Sequence, residues 1–100
     1  MRPNQKHYVY IMTNKHKNVL YVGVTNNLRR RVIEHESGFD NGFTKKYRCL
    51  YLIYYEAFRS INRAIKRETE IKAWRREKKD KLITSTNPHL NFLNDTVKSL

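Results

Sequence analysis

The sequence is poor in residues that break or cross-link a chain, with three glycines, two prolines and one cysteine among 100 residues. A single cysteine, Cys49, excludes an intrachain disulfide and fits a reducing, cytoplasmic location. The apolar runs are too short to span a bilayer, and the polar, basic first seven residues have no signal-peptide core. We therefore expect one small domain with one modest core and no membrane partner.

Acidic residues are also scarce: nine Asp and Glu face 21 Lys and Arg, a formal net charge of +12. Self-repulsion of this size is usually neutralised by a polyanion, so nucleic acid is the expected partner. The basic residues are spread along the chain rather than gathered on a tail, which argues against an anionic membrane.

Two short runs, 8–12 and 20–24, alternate in side-chain direction and are rich in aromatic and β-branched residues. The polar segment between them predicts a β-hairpin. Tyr10 lies on one face of the first strand, and Tyr21 and Gly23 share a face of the second. If the register brings these faces together, two phenols lie beside a glycine that permits close approach of a backbone or ligand.

The rest of the chain predicts helices around one further strand. Asn and Thr at 25–27 are good N-caps for a helix at Leu28–Ser37 that ends at Gly38. Residues 39–48 are predicted as a loop, 49–58 as a central or well-covered strand, 61–76 as a long helix after Ser60, and 80–83 as a short helix. The order β-β-α-β-α plus a short C-terminal helix gives an α+β domain over 1–88, with a three-stranded antiparallel sheet. In the tail, 89–100, the residues expected to dock on the core are Leu90, Phe92 and Leu93.

Polar residues interrupt the apolar stripe of the first helix. Leu28 and Val32 define the stripe, and Arg31 and His35 fall within it, whereas Arg29 and Arg30 point elsewhere. A guanidinium that is turned inward needs an anionic partner. That partner is either a structural carboxylate or a bound phosphate.

The second long helix shows the same pattern. Ile61, Ala64, Ile65 and Ile71 share one face, and Glu68 lies in its middle, with Glu70 on the opposite side. A carboxylate in this position is either paired with a cation or holds a metal ion. Two tyrosines, an arginine, a histidine and a glutamate directed at one small sheet indicate a site.

At these positions the chain resembles the GIY-YIG nuclease family over about residues 8–72, in the branch of small standalone bacterial proteins related to structure-specific resolvase subunits. Tyr10 matches the first name triplet and Tyr21 and Gly23 match the second. Arg31 matches the family arginine, Glu68 the metal-ligand glutamate, and His35 the histidine of this branch. Two departures are Tyr8 in place of the first glycine and Val24 where excision-repair relatives carry lysine.

The resemblance implies a DNA endonuclease that uses Mg²⁺, with Mn²⁺ as a substitute, and that has relaxed or structure-directed specificity in DNA repair or recombination. In this chemistry Glu68 holds the metal, Arg31 neutralises the phosphate and Gly23 positions the substrate. Tyr10, Tyr21 and His35 are alternative general bases.

The residues expected to grip DNA outside the site are Arg29, Arg30, Lys45, Lys46, Lys72, Trp74 and Asn87. The structural alternative is a solvated charged helix face with Trp74 in the core. Two other functions remain open: a non-catalytic nucleic-acid-binding module, and a nuclease subunit that is active only with a protein partner.

Overall fold

The computed structural model describes residues 6–38 and 42–99, which form three strands and five helices. Their order is β1 (His7–Thr13), β2 (Leu20–Thr25), α1 (Leu28–Ser37), α2 (Gly42–Tyr47), β3 (Tyr51–Phe58), α3 (Ile61–Ala73), α4 (Arg76–Thr86) and α5 (Asn94–Lys98). The predicted α+β class and antiparallel sheet are confirmed. None of the helices in these ranges is long and apolar enough to cross a membrane.

The sheet separates two hydrophobic clusters. The strand order is β2-β1-β3, so β1 is central and its side chains alternate between the two faces. Val9 and Ile11 pack with residues of α3 and α4, whereas Tyr10 and Met12 pack with residues of α1 and α5. Helices α3 and α4 therefore cover one face, and α1 and α5 cover the other.

The first hairpin and α1 form as predicted. Tyr10 pairs with Gly23 and Met12 pairs with Tyr21, which brings the two phenols and the glycine onto one face. Asn27 caps α1 by accepting a hydrogen bond from the backbone N–H of Arg30. Gly38 ends the helix with φ = 81°, a left-handed conformation that glycine adopts without steric cost.

The third strand is at an edge of the sheet, so its predicted central position is wrong and its alternative, a well-covered strand, is right. The covering segment comes from the C-terminal residues. The Leu93 N–H donates to the Leu52 carbonyl and the Asn94 Oδ1 accepts from the Leu52 N–H, both at 2.7 Å. The Asn87 Nδ2 donates to the Ile53 carbonyl at 3.0 Å. These bonds satisfy backbone groups that an edge strand otherwise exposes.

Three predicted boundaries change. Residues 42–47 form α2 instead of a loop, and residues 39–41 of that predicted loop lie outside the described residues. Helix α3 ends at Ala73, three residues early, with Trp74 as its C-cap. Helix α4 spans Arg76–Thr86 instead of 80–83, because its charged surface hides the period and only Ile83 is buried.

The predicted apolar face of α3 is only half correct. Ala64 and Ile71 are buried, but Ile61 and Ile65 are 43% and 45% exposed. In the tail, Leu90 and Leu93 pack against the core as expected. Phe92 instead stacks on the ring of Tyr51, with centroids 4.2 Å apart.

Candidate active site

A phenol, an imidazole and a guanidinium meet on the α1 face of the sheet. The Tyr10 hydroxyl lies 3.1 Å from the His35 Nε2, within hydrogen-bond distance, and accepts a hydrogen bond from the Arg31 Nε at 3.3 Å. Tyr10 and His35 are 1% and 0% exposed, whereas the Arg31 side chain retains 21% exposure. The cluster therefore opens to solvent through its cation.

Gly23 makes room for this cluster. A Cβ at position 23 would lie 2.5 Å from the Tyr10 hydroxyl oxygen and 2.6 Å from the ring carbon that carries it. The group that approaches the glycine is therefore the Tyr10 side chain, whereas the sequence predicted a backbone or a substrate. Gly23 acts on the site by fixing where the Tyr10 hydroxyl lies.

Tyr21 extends the cluster toward the β2 edge of the sheet. The imidazole of His35 makes edge-to-face contacts with both phenols, at 5.6 Å from the Tyr10 ring and 5.7 Å from the Tyr21 ring. On its other side Tyr21 contacts Phe43 of α2, at 5.9 Å. A cavity of about 290 Å³ opens there, lined by Leu20, Tyr21, Val22, Phe43, Lys72 and Lys79. We call it the edge cleft.

The three consecutive arginines of α1 behave differently, as the helical period predicts. Arg31 turns toward Tyr10 and also donates to the Glu34 Oε1 at 2.9 Å. This hydrogen bond holds the pKa of the Glu34 carboxyl below its usual range. Arg29 and Arg30 are exposed; Arg29 donates to the Lys98 carbonyl at 2.9 Å. Glu34 is thus a structural partner of Arg31, which the sequence analysis did not name.

Glu68 comes from the opposite face of the sheet, because it is carried by α3. Its side chain is 17% exposed, and its Oε2 lies 3.4 Å from the Lys72 Nζ. Lys72 in turn lines the edge cleft with Tyr21. The sequence analysis directed all five polar side chains at one sheet; the structure brings four together on one face and leaves Glu68 to approach around the β2 edge.

The donor set limits what metal the chain can hold. Within residues 6–38 and 42–99 there is no group of three or more His, Cys, Asp or Glu side chains arranged to bind an ion. A half-buried single carboxylate suits Mg²⁺, which keeps several waters and completes its octahedron with substrate oxygens. The residues therefore fit a one-carboxylate site at Glu68 and do not fit a protein cage.

The residues predicted to grip DNA lie in different environments. Lys46 is exposed on α2, and Lys45 lines a cavity of about 230 Å³ with His35. Trp74 packs against the core, as the structural alternative held, but also carries cations on its ring. Asn87 is buried, and its side chain bonds to the backbone of Ile53 and Asn91, so its place in the molecule is structural.

Sequence reasoning missed two contributors to the edge cleft. Phe43 lay in a segment predicted as a loop, and Lys79 preceded the predicted short helix. Their positions follow from helices α2 and α4, which the apolar pattern did not reveal. The only usable signal was the i, i+4 spacing of Phe43 and Tyr47, whose rings contact each other at 4.8 Å.

A three-stranded sheet with two tyrosines, a glycine, an arginine and a histidine on one face, and a glutamate helix behind its edge, defines a GIY-YIG domain. The chain belongs to the GIY-YIG family: residues 6–81 match the GIY-YIG catalytic domain.

Its relatives are small proteins. The chain is 44% identical over 78 residues to a UPF0213 protein of Staphylococcus haemolyticus, covering 78% of this chain and 94% of that protein. It is 39% identical over 79 residues to one from Haloquadratum walsbyi, covering 79% and 88%. The solution NMR structure of a UPF0213 protein from Bacillus halodurans superposes with a TM-score of 0.56 at 31% identity, covering 93% of this chain and 95% of that one. The resemblance seen in the sequence is therefore confirmed.

Proposed function

We propose that the protein is a Mg²⁺-dependent endonuclease that hydrolyses phosphodiester bonds of DNA with relaxed or structure-directed specificity. The observation that carries the proposal is the contact of the Tyr10 hydroxyl with Arg31 and His35 beside a positively charged cleft. A binding module has no need for a phenol held between a guanidinium and an imidazole, whereas proton transfer next to a phosphate requires such an arrangement.

The phosphate is expected to enter beside Arg31 and Tyr21, the partly exposed members of the cluster. Arg31 then neutralises the charge that develops on phosphorus. The Tyr10 hydroxyl accepts the proton of the attacking water, and the positive charge of Arg31 favours the phenolate that receives it. Because His35 is fully buried behind Tyr10, its role is to orient the phenol and exchange its proton.

Glu68 would hold the metal through its carboxylate, with Lys72 as its partner in the unliganded protein. A bound Mg²⁺ supplies charge stabilisation for the leaving oxygen. Lys72 and Lys79 in the edge cleft attract the phosphates on either side of the scissile bond.

The test is single-turnover cleavage of DNA by purified protein with and without Mg²⁺. Tyr10→Phe should lower the rate at least about 10²-fold, since that is the lower end of general acid–base effects. Arg31→Ala should lower it about 10²–10³-fold, as for loss of one charge-stabilising contact. Arg30→Ala, the neighbouring arginine on the exposed side of α1, is the matched control.

The two alternatives give different results in the same assay. Binding without cleavage under all metal conditions would identify a non-catalytic module. Cleavage that appears only on addition of a cell extract fraction would identify a subunit that requires a partner. Equal effects of Arg30→Ala and Arg31→Ala would contradict the assignment of the phosphate site.

A further inference from the structure

A second positively charged groove lies at the corner between α3 and α4, and none of the catalytic side chains lines it. Its volume is about 510 Å³, and its lining residues are Trp74, Arg75, Glu77, Lys78 and Lys81. Three of the five are cations and one is an acid. We call it the corner groove.

The centre of the groove is an aromatic ring surrounded by cations. The Lys78 Nζ lies 4.2 Å from the centroid of the Trp74 ring, and the Arg67 guanidinium carbon lies 5.2 Å from it. Arg67 is held in place by Glu56, whose carboxylate accepts from its Nε and Nη2 at 2.9 Å. This contact fixes the orientation of the indole from below while leaving it partly exposed.

The cations of the groove have no internal counterion. Within the described ranges, Lys72 pairs with Glu68 and Arg76 pairs with Asp80, but no carboxylate pairs with Arg75, Lys78 or Lys81. Clustered cations without acidic partners repel one another until an external anion neutralises them. The ligand of this groove is therefore an anion.

The aromatic ring narrows the class of anion to nucleic acid. A planar indole flanked by cations is the arrangement on which bases stack while the backbone phosphates are neutralised. Position is a second argument: Trp74 follows Lys72 of the edge cleft by two residues, so their Cα atoms lie at most about 7.6 Å apart, twice the trans Cα spacing. One strand can reach both surfaces.

We propose that the corner groove binds the nucleic-acid strand outside the catalytic cleft, with a base on Trp74 and phosphates on Lys78 and Lys81. The proposal rests on the nucleic-acid substrate proposed above. It adds that recognition extends past the scissile phosphate on the Lys72 side. It also makes Trp74 a binding residue as well as a core residue.

Trp74 is the chain's one tryptophan, so intrinsic fluorescence reports directly on the groove. The protein is titrated in EDTA, which prevents cleavage, with a single-stranded oligonucleotide, with a duplex and with poly-glutamate. We expect saturable quenching by a nucleic acid and none by poly-glutamate. Equal quenching by poly-glutamate would show a general acidic-polymer site, and binding without any change in Trp74 emission would place the strand elsewhere; either result overturns the proposal.

Variants test the same point with a labelled oligonucleotide in EDTA. Trp74→Leu keeps apolar bulk but removes the aromatic face, and should weaken binding at least about 5-fold, the lower end of base–aromatic stacking. Lys78→Ala and Lys81→Ala, on the exposed rim, keep the test valid if Trp74→Leu fails to fold. Each should lower the salt dependence of log K by about 0.9 for each lost phosphate contact.

Lys66→Ala is the matched control, because Lys66 is an exposed lysine of α3 outside both the edge cleft and the corner groove. If it weakens binding as much as the rim variants do, the groove is not a specific contact. These measurements are made without metal and without turnover. Failure of cleavage therefore contradicts the proposed activity, whereas failure of the Trp74 response contradicts only the corner groove.

Discussion

Tyr10 and Gly23 share one volume across two paired strands. The Tyr10 side chain crosses above Gly23, so the site requires bulk at one position and its absence at the other. The same packing puts the phenol within reach of His35 and Arg31. A glycine in this strand is therefore a feature of the site rather than a weakness of the sheet.

Gly23→Ala is expected to destabilise the fold and to displace the phenol. A Cβ at 2.5 Å from the Tyr10 oxygen requires the buried ring to move, and overpacking of this kind costs about 1–3 kcal/mol. In a domain of this size we expect Tm to fall by about 4–8 °C per kcal/mol. Cleavage should fall further than stability alone explains.

The matched control is Gly42→Ala, since a Cβ at Gly42 meets nothing within 4 Å among the described residues. Gly42→Ala should leave Tm within a few degrees of the parent protein. Equal losses in the two variants would mean that backbone freedom, and not the Tyr10 contact, explains the glycine. Thermal unfolding followed by circular dichroism decides between them.

The sequence predicted the residue-level geometry of α1 well, because a ten-residue helix with a capping asparagine and a terminal glycine has one register. Arg31 and His35 turn inward and Arg29 and Arg30 do not. The sequence did not predict that Gly23 would hold a side chain instead of a substrate. That depends on the rotamer of Tyr10, which no periodicity encodes.

At the scale of elements, α3 presents its two central acids differently. The Glu68 side chain is 17% exposed beside Lys72, whereas Glu70 is 46% exposed, 4.0 Å from Arg67. Glu68→Gln should abolish metal-dependent cleavage, by at least about 10²-fold, while leaving DNA binding in EDTA intact. Glu70→Gln removes the same charge from the same helix and should change little. A similar loss in both variants would show that overall charge, not metal binding, is responsible.

The elements that the sequence missed are those without an apolar period. Helix α2 has six residues and buries only Thr44, and α4 buries only Ile83, so neither shows an amphipathic stripe. Strand β3 was read as central because it is apolar on both faces. The structure explains that pattern differently: residues 87–94 cover its edge, a tertiary contact that spacing along the strand cannot predict.

Asn94 fastens this C-terminal cover to the sheet. Its side chain accepts from the Leu52 N–H and donates to the Leu50 carbonyl at 2.9 Å and to the Glu36 Oε2 at 2.8 Å. Asn94→Ala leaves buried backbone groups without these partners, which should cost about 1–3 kcal/mol. Asn91→Ala, at an exposed position, is the control and should be nearly neutral. Urea unfolding curves measure both, and equal midpoints would contradict the role of Asn94.

At the scale of the whole molecule, the net charge of +12 should make nucleic-acid binding strongly dependent on salt. If Arg31, Lys72, Lys78, Lys79 and Lys81 each neutralise one phosphate of a duplex, log K should fall with log salt with a slope of about −4.5. Lys79→Ala should reduce that slope by about 0.9. Lys98→Ala, whose ammonium is paired with Glu36 at 3.0 Å, should not change it. Identical slopes for the two variants would mean that binding senses only total charge.

The order of synthesis gives the C-terminal cover another consequence. The central strand β1 is made first, and β3 pairs with it long before residues 87–94 exist. At ~5–20 residues per second, the roughly 36 residues between Phe58 and Asn94 take about 2–7 s to translate. Throughout that interval the outer edge of β3 is an open template for another nascent chain. Aggregation during biosynthesis is therefore controlled by residues that touch neither the catalytic cluster nor the substrate.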